Sequence, residues 1–100
     1  MAEPSPDILI RSVPKFSLGE LVATPNALAN IPDAEIKMCL VRHASGDWGT
    51  MDRHDWNANE SALQNGGRLF SRYHSSQNIK FWIITECDRS FTTVLLPEDY

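Results

Sequence analysis

Cysteine is scarce in this chain of 100 residues: Cys39 and Cys87 are its only two, and neither belongs to a CxxC pair. That excludes a disulfide-built scaffold and a zinc ribbon. The stretch from Met1 to Asp7 is acidic and proline-rich, without a basic segment leading into an apolar one, so no signal-peptide pattern is visible. Both cysteines therefore read as reduced thiols of a cytoplasmic protein. Apolar runs are short, and none approaches the 18 or so residues that a membrane helix needs, so no membrane partner is expected. Basic residues are outnumbered: nine Lys and Arg face thirteen Asp and Glu, for a net charge of −4. This excludes the basic stripe of a high-affinity phosphate-backbone binder, but leaves room for a small basic pocket. The five glycines form no P-loop, Rossmann fingerprint or G-x-S-x-G elbow, and no HExxH or EF-hand spacing occurs. No cofactor is expected.

What the chain does have is a last third made for a sheet. Gly67 to Tyr100 reads GRLFSRYHSSQNIKFWIITECDRSFTTVLLPEDY. Three apolar, β-prone runs are separated by the polar tetrads Ser75–Asn78 and Cys87–Ser90, the pattern of an antiparallel meander. In the first run, Arg68 to His74, the alternation puts Leu69, Ser71 and Tyr73 on one face and Arg68, Phe70 and Arg72 on the other. The second, Ile79 to Glu86, is apolar on both faces and is expected in the middle. The third spans Phe91 to Leu96.

Helices precede the strands. Thr24-Pro25 is a helix start, a capping hydroxyl followed by a proline at the first helical position, and Pro32 stops that helix near Ile31. Asp33 is expected to cap a second helix from Ala34 to about Ala44, with Ile36, Cys39 or Leu40, and His43 on one face. A third helix runs from about Asp52 to Gln64 and ends at Gly66. Phe16 to Thr24 has no clear period, although Leu21-Val22-Ala23 suits a short strand. Ile8-Leu9-Ile10, cut off by Pro14, adds an edge strand or docks on the core. With 42% apolar residues the chain can build one core. The fold class read from this is α+β: N-terminal helices packed on a three- to four-stranded antiparallel meander sheet, as a flexible N-terminal segment, residues 1–15, and a single domain, residues 16–100.

The motif H-A-S-G-D-W-G from His43 to Gly49, the G-R-L-F-S-x-Y strand, W-I-I-T-E-x-D-R-S and the ending T-T-V-L-L-P-E-D-Y together resemble a family of small bacterial proteins. These are carried on plasmids and integrative elements and labelled "plasmid-related protein" or type I restriction enzyme M subunit. The resemblance covers about Phe16 to Tyr100 and implies an accessory protein of a mobile element. The second label implies a methyltransferase, which needs a cofactor-binding α/β domain with a Gly-rich strand–helix turn; none is present.

Candidate chemistry gathers in a few residues. His43, at a helix C-terminus before a glycine-flanked loop, is the candidate general acid or base, with Ser45 and Asp47 beside it. Against this stands its helical spacing, which puts it on the face of Ile36 and Leu40, where it would be a core histidine. Arg68, Ser71, Arg72 and Tyr73 supply cations, a hydroxyl and a phenol. His43, Arg72 and Tyr73 together form the catalytic set expected of a metal-independent ribonuclease or toxin of the barnase/RelE type, an analogy of architecture alone. Ser45, Asp47, Arg68, Ser71 and Arg89 are the candidate binding residues. Arg89 sits in a polar turn with Asp88, from which it either serves that turn or returns to Asp47 as a charge-assisted lock. Asp47, Asp52, His54 and Asp55 have the palette of metal ligands, but Asp52 and Asp55 fit better as helix N-terminal residues, so no metal is expected. Trp48, a large ring between glycines, is expected to anchor its loop against the core. The leading expectation is a host-defence or plasmid-maintenance protein that binds a macromolecule, most simply a bacterial protein. RNA is the alternative partner, and ribonuclease-like chemistry the alternative function.

Overall fold

A computed structural model of the chain describes residues 14–100. It contains strand β1 (Glu20–Ala23), helices α1 (Pro25–Asn30), α2 (Asp33–Ala44) and α3 (Arg53–Asn65), strands β2 (Leu69–His74), β3 (Lys80–Thr85) and β4 (Phe91–Leu95), and a closing 3₁₀ turn (Pro97–Asp99). The protein is α+β, with its helices ahead of the three main strands. The expected strand Ile8–Ile10, and the N-terminal segment expected to be flexible as far as residue 13, lie outside the described residues.

The helix signals act as their chemistry dictates, with one correction. The Thr24 hydroxyl accepts from the Ala27 N–H at the start of α1, and Asp52 accepts from the Asp55 N–H at the start of α3. Gly66 closes α3 at φ 86°. Asp33 does not cap α2. Pro32 holds the cap position without a side-chain hydrogen bond, and Asp33 is the first helical residue. There its charge favours the positive end of the helix, and it pairs with Lys37 one turn on at 3.2 Å.

The sheet order is β1-β4-β3-β2. β2, β3 and β4 pair antiparallel in the chain order expected, and β3 is interior, bonded on both sides. The sheet is nonetheless not a strict meander. β1 lies parallel to β4, with Leu21 opposite Thr92 and Ala23 opposite Val94. The reason is connectivity: α1 and α2 follow β1 directly, so it cannot form a hairpin with the next strand and is left to fill the open edge of β4. The outer edge of β2 is covered from two directions. Trp48 and Thr50 bond to the Arg72 backbone from the loop after α2, and the Asn59 side chain of α3 bonds both the N–H and the C=O of Phe70.

The main core lies between α1 and α2 and one sheet face. Ala27, Ile31, Ile36 and Cys39 meet Tyr73, Phe81, Ile83 and Val94 there. Ile83 is completely buried in the central strand. Replacing it with alanine is expected to cost about 2–5 kcal/mol of unfolding free energy, since a cavity adds to the lost transfer energy. Chemical denaturation of the Ile83→Ala variant checks this, and a cost under ~1 kcal/mol would contradict the packing described. Both cysteines are free thiols, Cys39 buried on α2 and Cys87 exposed in the β3–β4 turn. No helix among the described residues is long and apolar enough to cross a membrane.

Candidate functional site

His43 ends α2 with its ring turned inward, fully buried, as its spacing with Ile36 predicts for a core histidine. It sits at the centre of a buried polar chain. Nδ1 lies 2.5 Å from the Ser71 hydroxyl and Nε2 2.9 Å from the Thr85 hydroxyl. Thr85 and Thr92 hydroxyls are 2.7 Å apart, and Thr92 donates to the Leu18 carbonyl at 2.7 Å. That carbonyl can only accept, so the direction of every bond is assigned in turn. Thr92 gives its proton to Leu18, Thr85 gives its own to Thr92, and Nε2–H therefore donates to Thr85. Nδ1 is left to accept from Ser71. The ring is neutral, with its proton on Nε2. Burial, followed by the nearby positive charge of Arg89, pushes its pKa down to about 3. Phe16 and Trp48 pack edge-on against it at 5.4 and 5.5 Å between ring centres.

Tyr73 shares this side of the sheet. It is buried, its hydroxyl donates to the Asp47 carbonyl at 2.5 Å, and the Arg42 guanidinium stacks 4.7 Å from its ring centre. Burial first of all raises its pKa well above the ordinary phenol value. The Asp47 carboxylate pairs with Arg42 at 2.8 Å, and that bond holds its pKa low. Gly49 makes this loop possible: at φ 78°, a Cβ there would lie 2.0 Å from the Arg72 carbonyl. The Ser45 hydroxyl donates back to the Val41 carbonyl.

The structure therefore brings together His43, Ser71, Tyr73 and the Asp47 backbone, and sets Arg72 and Arg68 on the opposite face. Consecutive residues of a strand point to opposite sides, so Arg72 and Tyr73 never converge. Arg89 does not reach Asp47 either, because Arg42 has taken that carboxylate. It is instead a lock for the end of α3. Its guanidinium donates to the Gly67 carbonyl at 2.6 Å and to the Ala62 carbonyl at 3.1 Å, and also bonds Glu86 and Cys87 in its own turn. A cation on carbonyls at a helix C-terminus is favoured by the dipole as well as by the hydrogen bonds. Asp52, His54 and Asp55 offer exposed ligand atoms within 4.8 Å of one another. Asp52 is spent on the α3 cap and Asp55 contacts the His54 ring, an ordinary helix start.

The sheet face turned away from α1 and α2 is the other place where functional groups meet. Phe70 and Trp82 rings lie 4.9 Å apart, and Tyr100 meets Trp82 edge-on at 5.7 Å. Arg68 donates to the Tyr100 hydroxyl at 3.0 Å and pairs with Glu86 at 3.4 Å. Arg72 stands directly across from Trp82 in the β2–β3 register. Its side chain donates from Nη1 to the Thr50 carbonyl over a long 3.5 Å. The Nε–H of Arg72 and the indole N–H of Trp82 are buried without partners, the two such side-chain donors among the described residues. Arg68 and Arg72 line a recess of about 330 Å³ between β2 and α3, together with Met51, Asp55, Asn59 and Phe70. Phe70, Trp82 and Tyr100 were not singled out in the sequence as site residues. The signal available for the first was its position between two arginines on one face of a strand. Comparison with known proteins adds no relative: no family model, no curated protein and no solved structure matches this chain.

Proposed function

We propose that this protein is a non-enzymatic accessory protein that binds a bacterial macromolecule, a protein in the first place, through the sheet face around Arg72 and Trp82 that is turned away from α1 and α2. The observation that carries the reading is the contrast between the two sides of the sheet. The imidazole a catalyst would use is buried with both nitrogens bonded, whereas a general acid or base must come within hydrogen-bond reach of its substrate. On the other side, Arg68 is exposed and Phe70, Arg72 and Trp82 are only partly buried, so a cationic and aromatic surface is open to a partner. Arg and Trp are also the side chains that most often dominate interfaces. The groups gathered there suit a partner that presents carboxylates or carbonyls to the arginines and an apolar side chain to the Phe70–Trp82 rings. The resemblance to proteins of plasmids and integrative elements supports a role in host defence or plasmid maintenance.

The test is affinity capture from a bacterial lysate, followed by titration of the purified partner. Arg72→Ala is expected to weaken binding by roughly 30-fold or more, the loss typical of an interface hot spot, while the fold is retained. A folded His43→Gln variant should bind as the wild type does. RNA cleavage that is lost in His43→Gln, or retention of only a nucleic acid, would overturn the reading.

A further inference from the structure

The face of β2 and β3 turned away from α1 and α2 has a charge opposite to that of the chain, whose net charge is −4. By alternation it carries Arg68, Phe70, Arg72 and His74 on the β2 side, and Lys80, Trp82, Ile84 and Glu86 on the β3 side. Arg68, Arg72 and Lys80 are thus set against Glu86. That carboxylate is taken by Arg68, at 3.4 Å. Arg72 and Lys80 pair with no carboxylate among the described residues. They are also neighbours. Arg72 stands opposite Trp82 and Lys80 opposite His74, so the two cations lie on a diagonal of the ladder, about 7–8 Å apart. Lys80 and His74 are exposed, and Arg72 and Trp82 half-buried. Asp55 lines the recess between Arg72 and α3, so an incoming acid is favoured on the Lys80 side.

We propose, resting on the protein-binding role given to this face, that the partner presents to it an extended acidic segment in which carboxylates alternate with spacer residues beside an apolar side chain. An extended chain sets every second side chain on one face, about 6.6 Å apart. That spacing matches the Arg72–Lys80 diagonal, so successive carboxylates on one face of the segment meet the two cations. Phe70 precedes Arg72 by two positions on the same face, and its ring lies 4.9 Å from that of Trp82. An apolar side chain one step further along the segment therefore packs on this ring pair. The recognition is charge complementarity, which gives specificity and speed of association more than raw affinity. Nucleic acid fits less well, since a phosphate backbone is held by a broader basic surface than this acidic chain offers.

Two end-blocked peptides test this by NMR titration of the full chain. One is Glu-Ser-Glu-Ser-Phe-Ser-Glu-Ser-Glu, which reads alike in both directions; the other has glutamine for every glutamate. The acidic peptide is expected to shift the Arg72 and Lys80 amides and the Trp82 indole N–H. At low salt it should bind about tenfold or more tighter than the neutral one. Added salt should shrink that preference, because exposed charges are screened. Lys80→Glu should remove it with the fold intact. Equal affinity of the two peptides, shifts confined to other surfaces, or no shift at millimolar peptide would overturn the proposal. So would a stronger response to an oligouridylate of equal charge, or self-association of the purified chain that Lys80→Glu abolishes, which assign the face to RNA or to a second copy. Partner capture that depends on Arg72 but on neither salt nor Lys80 would refute the acidic segment alone. Capture of no protein at all would refute the binding role of the face itself.

Discussion

Replacing Trp48 with alanine is expected to lower the unfolding free energy by about 3–5 kcal/mol, the cost of removing a fully buried large aromatic side chain. The indole is completely buried. It stacks on Phe16 at 6.1 Å and meets His43 edge-on, and its N–H donates to the Glu60 carboxylate at 2.8 Å. It thus joins the loop after α2, the segment before β1 and α3 at one point. Its own carbonyl accepts from the Arg72 N–H at the edge of β2, so a loosened loop also uncovers that strand. Alanine leaves a cavity and removes the donor to Glu60. Trp48→Phe retains most of the packing and should cost clearly less. Urea denaturation of the two variants gives the comparison, and a loss under ~1 kcal/mol for Trp48→Ala would contradict the anchoring role. In a variant lacking Trp56 and Trp82, the emission of Trp48 should resist a soluble quencher.

Acidification gives the second large effect, and its sign follows from His43. Burial depresses the pKa of this base from 6.5 to about 3 in the folded protein. As pH falls below about 6.5, the unfolded chain takes up a proton that the folded chain refuses, so protonation favours unfolding. The stability tied to the neutral ring is fully present above pH 6.5 and is lost progressively down to about pH 3. The difference amounts to about 4–5 kcal/mol over the whole window, at about 1.4 kcal/mol for each unit of pKa. Carboxylates held low by their partners, such as Asp47 bonded to Arg42 and Asp99 bonded to Thr24, contribute with the same slope only near and below pH 4. The interval from pH 6.5 to 5 therefore isolates His43. Denaturation midpoints across that interval should fall for the wild type and much less for His43→Gln, which is less stable at neutral pH because it leaves part of the buried chain unsatisfied. Ring nitrogen shifts should still report the neutral Nε2–H form at pH 5. An imidazolium seen in the folded protein at that pH would refute the assigned network.

Much of this architecture is legible in the residues themselves, because local chemistry decides it. Thr24-Pro25 and Asp52 start helices and Gly66 ends one through bonds and backbone conformations that belong to those positions alone. The two-sided apolarity of Phe81-Trp82-Ile83-Ile84 places β3 inside the sheet. The period of the strand already parts Arg72 from Tyr73, and the period of the helix already sets His43 with Ile36, so the division of the candidate site between two faces was readable too. Only the tertiary structure decided the rest. β1 has four residues, three of them exposed, and gains its identity from hydrogen bonds to β4, about seventy positions along the chain. Asp47 had Arg42 and Arg89 as possible partners, and Arg42 won because it leaves α2 one turn away, while Arg89 is held by the carbonyls at the end of α3. The partners of the His43 ring come from β2 and β3, and the single orientation of their hydroxyls is imposed by the Leu18 carbonyl beyond Thr92. Interactions between near neighbours leave a periodic mark in the sequence; pairings across the fold depend on which surfaces meet, and that is settled only when the whole chain packs.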